Sequence, residues 1–243
     1  MNLVNQLVIA NRILAREEVV DAYGHVSLRH PGHADRFFLA VSKAPELIEP
    51  DDIVELDLEA RPLRQDPRPL YLERFIHAAI YEARPDVMAV VHAHAEDVLP
   101  FTITGRSAKG KLLPVIHSGA FIGQHVPVWD IADKFGDATN LLVTDMAQAR
   151  DLARTLGANA VALMRGHGFA AGARSLIDVV RLAVYLPRNA RVQYKAMQLG
   201  ELKPLSAGEV EARRSGYKPD SPETQRAWQY WAHRAGCAGL LRD

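Results

Sequence analysis

The sequence predicts a single α/β domain with a mixed central β-sheet and helices on both of its faces. Three observations predict this fold class. The chain has 243 residues, and at roughly 150 residues per domain this length suits one large domain. Strand-like and helical patterns are interspersed along the chain without the strict repeat of β-α-β units. No linker-like segment divides the chain.

Six segments show the spacing of apolar side chains that an amphipathic helix requires. In chain order they are residues 2–17, 73–84, 96–102, 145–156, 175–199 and 223–235. Pro85 ends the second segment, Gly157 is expected to cap the fourth, and Pro187 is expected to bend the fifth. The stretch 202–221 is polar and contains proline, so we expect an extended arm there.

Seven segments alternate in polarity or form short apolar runs, as strands do. In chain order they are residues 26–29, 37–41, 53–58, 87–91, 113–116, 126–128 and 160–164. Pro31 and Gly32 predict a hairpin turn between the first two strands. The apolar runs 87–91 and 160–164 predict buried strands.

Composition and charge exclude several classes of protein. Apolar residues make up 48% of the chain and charged residues 24%, which is ordinary for a globular protein and excludes a disordered or collagen-like chain. Lys and Arg number 29, as do Asp and Glu, so we expect neither a nucleic-acid partner nor a membrane partner. Cys237 is the one cysteine, and residues 1–9 lack the basic start of a signal peptide. We therefore expect a cytoplasmic protein.

Two histidines directly follow the apolar run 87–91. In an extended chain, residues i and i+2 point to the same side, so His92 and His94 are expected to share one face. Open α/β sheets bind ligands at such strand ends. A His-x-His pair at this position is suited to holding one metal ion.

A third histidine repeats this arrangement. His167 follows the apolar run 160–164 and lies between Gly166 and Gly168, which permit close approach of the backbone. Glu73 begins a predicted helix, where its carboxylate can serve as a ligand or a proton carrier. Three imidazoles and one carboxylate, with room for substrate, predict a catalytic metal site rather than a sealed structural one.

These residues carry a resemblance to the class II aldolase/adducin family. It rests on residues 73–86, on Ala89-Val90-Val91-His92-Ala93-His94, on Arg165-Gly166-His167-Gly168, and on the turn Gly24-His25-Val26-Ser27. The resemblance spans about residues 5–200. It implies a three-layer α/β/α catalytic domain over residues 1–200. The arm and helix of residues 201–243 would belong to that domain or to an oligomer interface.

The resemblance also implies a site and an assembly. His92, His94 and His167 would hold one divalent metal ion per subunit, with zinc and manganese both open. Glu73 would move a proton and can also ligate the metal. Family enzymes are usually homotetramers with sites near the subunit interfaces, so a homo-oligomer is expected.

Departures from the family pattern point away from a sugar phosphate. Tyr71-Leu72 replaces serines before the acid, His25 replaces an asparagine, and Ser42-Lys43 replaces a Thr-Gly pair. Cationic groups suit carboxylates instead. We therefore expect a small carboxylate substrate, with His25 catalytic beside Glu73. The expected substrate contacts are Arg29, Ser42, Lys43 and Arg74.

The segment 71–77 and the His25 turn resemble the subgroup that decarboxylates hydroxylated aromatic or pyridine dicarboxylates. A metal-stabilised enolate would absorb the electrons of the broken carbon–carbon bond. An aldolase acting on a non-phosphorylated hydroxy acid or sugar acid is the alternative. Three further functions remain open: an oxygenase, an epimerase or dehydratase, and an adducin-like interaction module without catalytic activity.

Overall fold

The computed structural model describes residues 2–107, 110–218 and 221–241. The strands are β1 His25–Arg29, β2 Arg36–Ala40, β3 Ile53–Asp57, β4 Ala89–Ala93, β5 Val128–Trp129, β6 Val161–Met164 and β7 Gly168–Ala173. The helices are α1 Leu3–Arg16, α2 Arg74–Ala83, α3 Leu99–Thr104, α4 Ala132–Phe135, α5 Met146–Leu156, α6 Leu176–Met197, α7 Ala207–Ser215 and α8 Pro222–Arg234. Short 3-10 turns lie at Pro45–Leu47, Pro50–Asp52, Glu96–Val98 and His117–Ile122.

One seven-stranded sheet runs through the described residues, in the order β3-β2-β1-β4-β7-β6-β5. β5 and β6 pair in parallel, and the other neighbours pair antiparallel. The sheet is therefore mixed, as predicted. Helices cover both faces, which gives the three-layer α/β/α architecture.

The alternation of strand side chains divides the apolar core into two clusters. Val26 and Val91 belong to the cluster that includes residues of α1, α6 and α8. Val90 and Phe37 belong to the cluster with α2 and α5. Because β1 and β4 pair with His25 opposite His92, these two histidines lie on the α2 side of the sheet.

Two extended segments were assigned wrongly from the sequence. Residues 113–116 form no strand, because the side chains of Asn189 and Gln193 on α6 accept their backbone N–H groups instead. β7 was missed, since its sequence of glycine, alanine and one phenylalanine lacks the β-branched residues that favour strands. It is nevertheless a central strand, between β4 and β6.

The C-terminal region also differs from the expected arm. α7 forms within it, because Ser206 and Glu209 make a reciprocal capping box at its N-terminus. Residues 219–220, part of the same predicted arm, lie outside the described residues. Trp228 and Trp231 of α8 are buried in the core cluster. The division of the chain at residue 200 stays a prediction.

Two further points concern helices. The one-turn helix α4 was not predicted. α6 continues through Pro187, and the bend expected at this proline stays a prediction. Among the residues described, no helix combines the length and apolar character that crossing a membrane requires.

Candidate metal centre

The fold brings four predicted ligands to one end of the central strands. His92 is in β4, and His94 follows the last residue of that strand. β7 pairs with β4 so that Phe169 lies opposite Ala93, which places the turn containing His167 beside His94. Glu73 is at the N-terminus of α2. One potential ligand atom from each of the four lies within 4.8 Å of all the others.

The three imidazoles converge through the same ring nitrogen. His94 Nε2 is 2.9 Å from His92 Nε2 and 3.0 Å from His167 Nε2. Glu73 Oε2 is 3.2 Å from His92 Nε2 and 3.4 Å from His167 Nε2. Four donor atoms therefore face one point.

Partners outside the cluster fix the orientation of two of these groups. His92 Nδ1 is 3.0 Å from the carbonyl oxygen of Phe169. It must donate to that oxygen, which leaves the Nε2 lone pair facing the cluster, as is typical of metal-bound histidine. Glu73 Oε1 accepts the backbone N–H of Val143 at 2.9 Å, so Oε2 is the oxygen that faces the histidines.

Electrostatics favour the protonation states that a metal requires. Burial raises the pKa of the Glu73 carboxyl, but His92 and His167 outweigh this and hold that pKa well below its usual range. Burial, followed by the nearby His92 and His167, lowers the pKa of His94 to about 3. An ionised carboxylate and a neutral imidazole are the ligand forms of these side chains.

This donor set fits a divalent cation. His92 carries its proton on Nδ1, and His94 Nε2, with at most one proton, cannot donate to both of its histidine neighbours. Lone pairs therefore remain directed at one another unless a cation lies between them. Three imidazole nitrogens and one carboxylate oxygen suit zinc and manganese alike.

His25 lies beside this cluster but is not one of the four converging groups. Its ring centroid is 5.2 Å from that of His92. Its Nδ1 is 2.6 Å from His77 Nε2, and His77 Nδ1 is 2.6 Å from Ser27 Oγ. The sequence analysis did not predict this connection. The i+2 spacing of His25 and Ser27 was the available signal.

The predicted substrate contacts are distributed differently from expectation. The buried guanidinium of Arg29 donates to four carbonyl oxygens. One of them belongs to Val87, just before the start of β4, whereas His92 is near the other end of that strand. Arg74 donates to the carbonyls of Ala60 and Tyr71. Both arginines thus hold backbone in place, and the structure does not bring the guanidinium of Arg29 to the cluster.

Lys43 and Ser42 remain closer to the expected role. Lys43 is half-buried and its Nζ pairs with Asp52 at 2.6 Å. The carbonyl of Lys43 accepts the hydroxyl of Tyr71, whose ring contacts His25 at 4.6 Å between centroids. Ser42 is exposed on the same loop. This loop is therefore connected to the surroundings of His25.

A glycine controls the approach of β7 to His94. A Cβ atom on Gly168 would lie 2.2 Å from the carbonyl oxygen of Ala93 and 3.1 Å from His94 Cα. We expect Gly168→Ala to lower the free energy of unfolding by about 1–3 kcal/mol and to weaken metal binding, because the backbone must shift at a ligand. Denaturant unfolding and metal titration measure both effects. Gly239→Ala, whose Cβ meets nothing within 4 Å, should change neither.

His77 gives the metal-free protein a specific acid sensitivity. Burial, followed by the nearby His92, lowers the pKa of His77 to about 3. The pKa of His77 is lower in the folded protein than in the unfolded chain, where it is near 6.5. Above pH 6.5 His77 is neutral in both states, and the free energy of unfolding is at its full value. That stability is lost as the pH falls from about 6.5 towards 3. The expected contribution of His77 to the slope is about 1.4 kcal/mol per pH unit.

Denaturant unfolding of the chelated protein at several pH values measures this slope. His77→Gln should show a shallower dependence over the same range, because the titrating group is gone. Parallel curves for the two proteins would contradict the assignment.

Comparison with known proteins identifies the family. The model of the Class II Aldolase and Adducin N-terminal domain family matches residues 5–194. The chain is 35% identical over 255 residues to Decarboxylase tropJ of Talaromyces stipitatus, covering 95% of this chain and 93% of that protein. It is 26% identical over 255 residues to 3,4-dihydroxyphthalate decarboxylase of Arthrobacter keyseri, covering 96% and 93%.

A solved structure supports the fold independently. The aldolase II superfamily protein from Pseudomonas syringae superposes with a TM-score of 0.79 at 22% identity, covering 98% of this chain and 93% of that one. The structural similarity and the family match agree on the fold. The chain belongs to the class II aldolase and adducin N-terminal domain family.

Proposed function

We propose that the protein is a metal-dependent, non-oxidative decarboxylase of a hydroxylated aromatic or pyridine dicarboxylate. The convergence of Glu73, His92, His94 and His167 within 4.8 Å carries the proposal. The two relatives described above, each matched over almost its whole length, are decarboxylases by name. Together they favour release of carbon dioxide over release of an aldehyde.

His92, His94 and His167 would hold the metal ion, with Glu73 as a fourth ligand before substrate binds. The ion supplies Lewis-acid stabilisation of the electron pair that remains when the carbon–carbon bond breaks. Each imidazole would contribute its Nε2, and Glu73 would contribute Oε2, because Oε1 accepts the N–H of Val143.

Glu73 is proposed to move the proton. Its carboxylate is ionised and buried, so it can accept the proton of the substrate hydroxyl. The bond between the ring carbon and the carboxylate carbon breaks. The carboxylate leaves as carbon dioxide, and the electron pair of that bond stays on the ring. Glu73 can then return its proton to that ring carbon. His25 or a bound water are the other candidates for this step.

A cavity beside His94 bears on how the substrate is held. Its volume is about 400 Å³, and its lining includes Glu18, Asp21 and Glu96. These acids would repel a carboxylate. The positive charge needed for a dicarboxylate would therefore come from the metal ion and from Lys43, with Ser42 beside it. We do not retain Arg29 and Arg74 as substrate contacts, because backbone carbonyls occupy their donors.

The remaining parts of the proposal concern metal identity, assembly and location. We propose one zinc or manganese ion per chain, a homotetramer and a cytoplasmic location. Elemental analysis of the purified protein measures the first. Light scattering coupled to size exclusion measures the second, and a mass of about one chain would overturn it.

The test of function is product identification. The metal-loaded protein is incubated with a panel of hydroxylated phthalates and hydroxylated pyridine dicarboxylates. We expect carbon dioxide and the monocarboxylate from at least one of them. Release of an aldehyde from a non-phosphorylated hydroxy acid or sugar acid, with no carbon dioxide from the panel, would establish the aldolase alternative instead.

A further inference from the structure

A line of four polar side chains runs from the edge of the metal centre into the protein interior. His25 Nδ1 is 2.6 Å from His77 Nε2, His77 Nδ1 is 2.6 Å from Ser27 Oγ, and Ser27 Oγ is 2.7 Å from the Tyr81 hydroxyl. The four residues are between 0% and 4% exposed. Each internal member of the line has one partner on either side.

The direction of these hydrogen bonds follows from counting protons. Burial raises the pKa of Tyr81 well above its usual value, so its hydroxyl keeps its proton. Among the described side chains, Ser27 Oγ is the hydrogen-bonded partner of that hydroxyl, and we take it as the acceptor of the Tyr81 proton. The single proton of Ser27 is then available to its other partner, Nδ1 of His77.

The same count continues through the two histidines. His25 and His77 are 4% and 0% exposed, and burial disfavours a charged imidazole, so each ring carries one proton. His77 accepts at Nδ1, and therefore its proton is on Nε2, from which it donates to His25 Nδ1. His25 accepts at Nδ1, and therefore its own proton is on Nε2.

The reverse order is unfavourable. If His25 donated to His77 and His77 donated to Ser27, the Ser27 proton would point at Tyr81. The Tyr81 proton would then have no side-chain acceptor among the residues that the structure describes, and a buried hydroxyl without its acceptor is costly.

We propose that His77, Ser27 and Tyr81 fix His25 as a neutral imidazole with its proton on Nε2, which makes it a hydrogen-bond donor to substrate and excludes it as a metal ligand. A ligating nitrogen must be bare. This explains why His25, next to His92 in the sheet, stands apart from the other three histidines. The role toward substrate rests on the proposed function; the tautomer does not.

The proposal also narrows the role of His25 in catalysis. A neutral imidazole that released its Nε2 proton would have to draw another through the line from Tyr81, which binds its proton tightly. His25 is therefore a stabilising donor to a carboxylate or phenolic oxygen of the substrate, and the proton that reaches the ring carbon comes from elsewhere. His77, Ser27 and Tyr81 are positioning residues.

The test is the protonation state of each ring nitrogen in the zinc-loaded protein. Two-bond ¹⁵N–¹H correlation spectra of ¹⁵N-histidine-labelled protein distinguish a protonated nitrogen from a bare one. We expect Nε2 protonated and Nδ1 bare in both His25 and His77. His25 protonated on Nδ1, or on both nitrogens at neutral pH, would overturn the proposal.

Variants of the line test its direction. Ser27→Ala should allow both tautomers at His25 and His77 and lower kcat by about tenfold to a hundredfold, with one zinc per chain retained. His77→Gln retains an amide donor for His25 Nδ1 and should keep most of the activity, whereas His77→Leu should not. Equal activity of the Gln and Leu variants would contradict a positioning role.

The outcomes separate this proposal from the proposed function. The expected tautomers without carbon dioxide release from any compound would leave the assignment of His25 intact and overturn decarboxylation. Carbon dioxide release by a protein whose His25 is protonated on Nδ1 would support decarboxylation and overturn the assignment of His25. The wild-type spectrum decides the tautomer even if a variant fails to fold.

Discussion

Replacing any one of His92, His94 and His167 by alanine is expected to abolish metal retention and activity together. Each substitution removes one of three converging imidazole nitrogens. The Nε2 atoms of His92 and His167 lie 2.9 and 3.0 Å from His94 Nε2. A bound cation supplies several kcal/mol of transition-state stabilisation, so its loss should lower the rate by roughly a thousandfold or more. Elemental analysis after gel filtration and an activity assay measure the two effects.

His125→Ala is the matched control. This histidine is exposed and is not among the four converging groups, so its replacement should leave metal content and rate unchanged. Full metal retention by all three ligand variants would contradict the assignment of the site. Loss of metal from one variant without loss of activity would contradict metal-dependent chemistry.

Glu73→Gln is expected to separate metal binding from proton movement. The amide oxygen can still accept the N–H of Val143, so the local fold should be preserved. The three histidines should still bind the ion, more weakly because a negative charge is lost. The rate should fall by roughly a hundredfold to ten-thousandfold, the usual contribution of a general acid–base group.

Glu82→Gln provides the comparison for this variant. Glu82 pairs with Arg150 on the exposed face of α2, away from the residues that converge on the site, and its replacement should not change kcat. Titration with zinc and steady-state kinetics measure the two properties of each variant. A Glu73→Gln variant with full activity would show that another group moves the proton.

The predicted ligands come from short-range patterns, which explains why the sequence was informative there. His92 and His94 follow an apolar run at strand spacing, and His167 lies between two glycines at the end of another run. The structure brings these groups together with Glu73 because β4 and β7 are neighbours, although β7 itself was missed. Local signals were sufficient for the residues, but not for the strand that aligns them.

The surroundings of the site depend on contacts between distant segments. His77 occupies a regular helical position, and nothing in α2 alone indicates that it joins His25 and Ser27 of β1. Arg29 is a comparable case, since its positive charge suggested a contact with a substrate carboxylate. Its bonds to backbone carbonyls are visible only in the folded chain.

Basic residues stand where the family pattern has phosphate-binding residues. This replacement indicated a class of substrate, but it did not indicate which side chains contact the substrate. The substitution of a phosphate-binding pattern by His25 and Ser42-Lys43 predicted a carboxylate substrate, and of these residues His25 lies beside the metal centre. Lys43 is paired with Asp52, which the spacing of the two residues could not establish. Side-chain partners decide whether a basic residue is available, and they are set by the tertiary fold.

Carbon dioxide release before chelation, after chelation and after return of the metal tests the central claim most directly. One preparation and one hydroxylated dicarboxylate from the panel are used throughout. The account predicts release by the loaded protein, none above background after chelation, and recovery when zinc or manganese is returned. Release that persists in protein shown to be metal-free would contradict it.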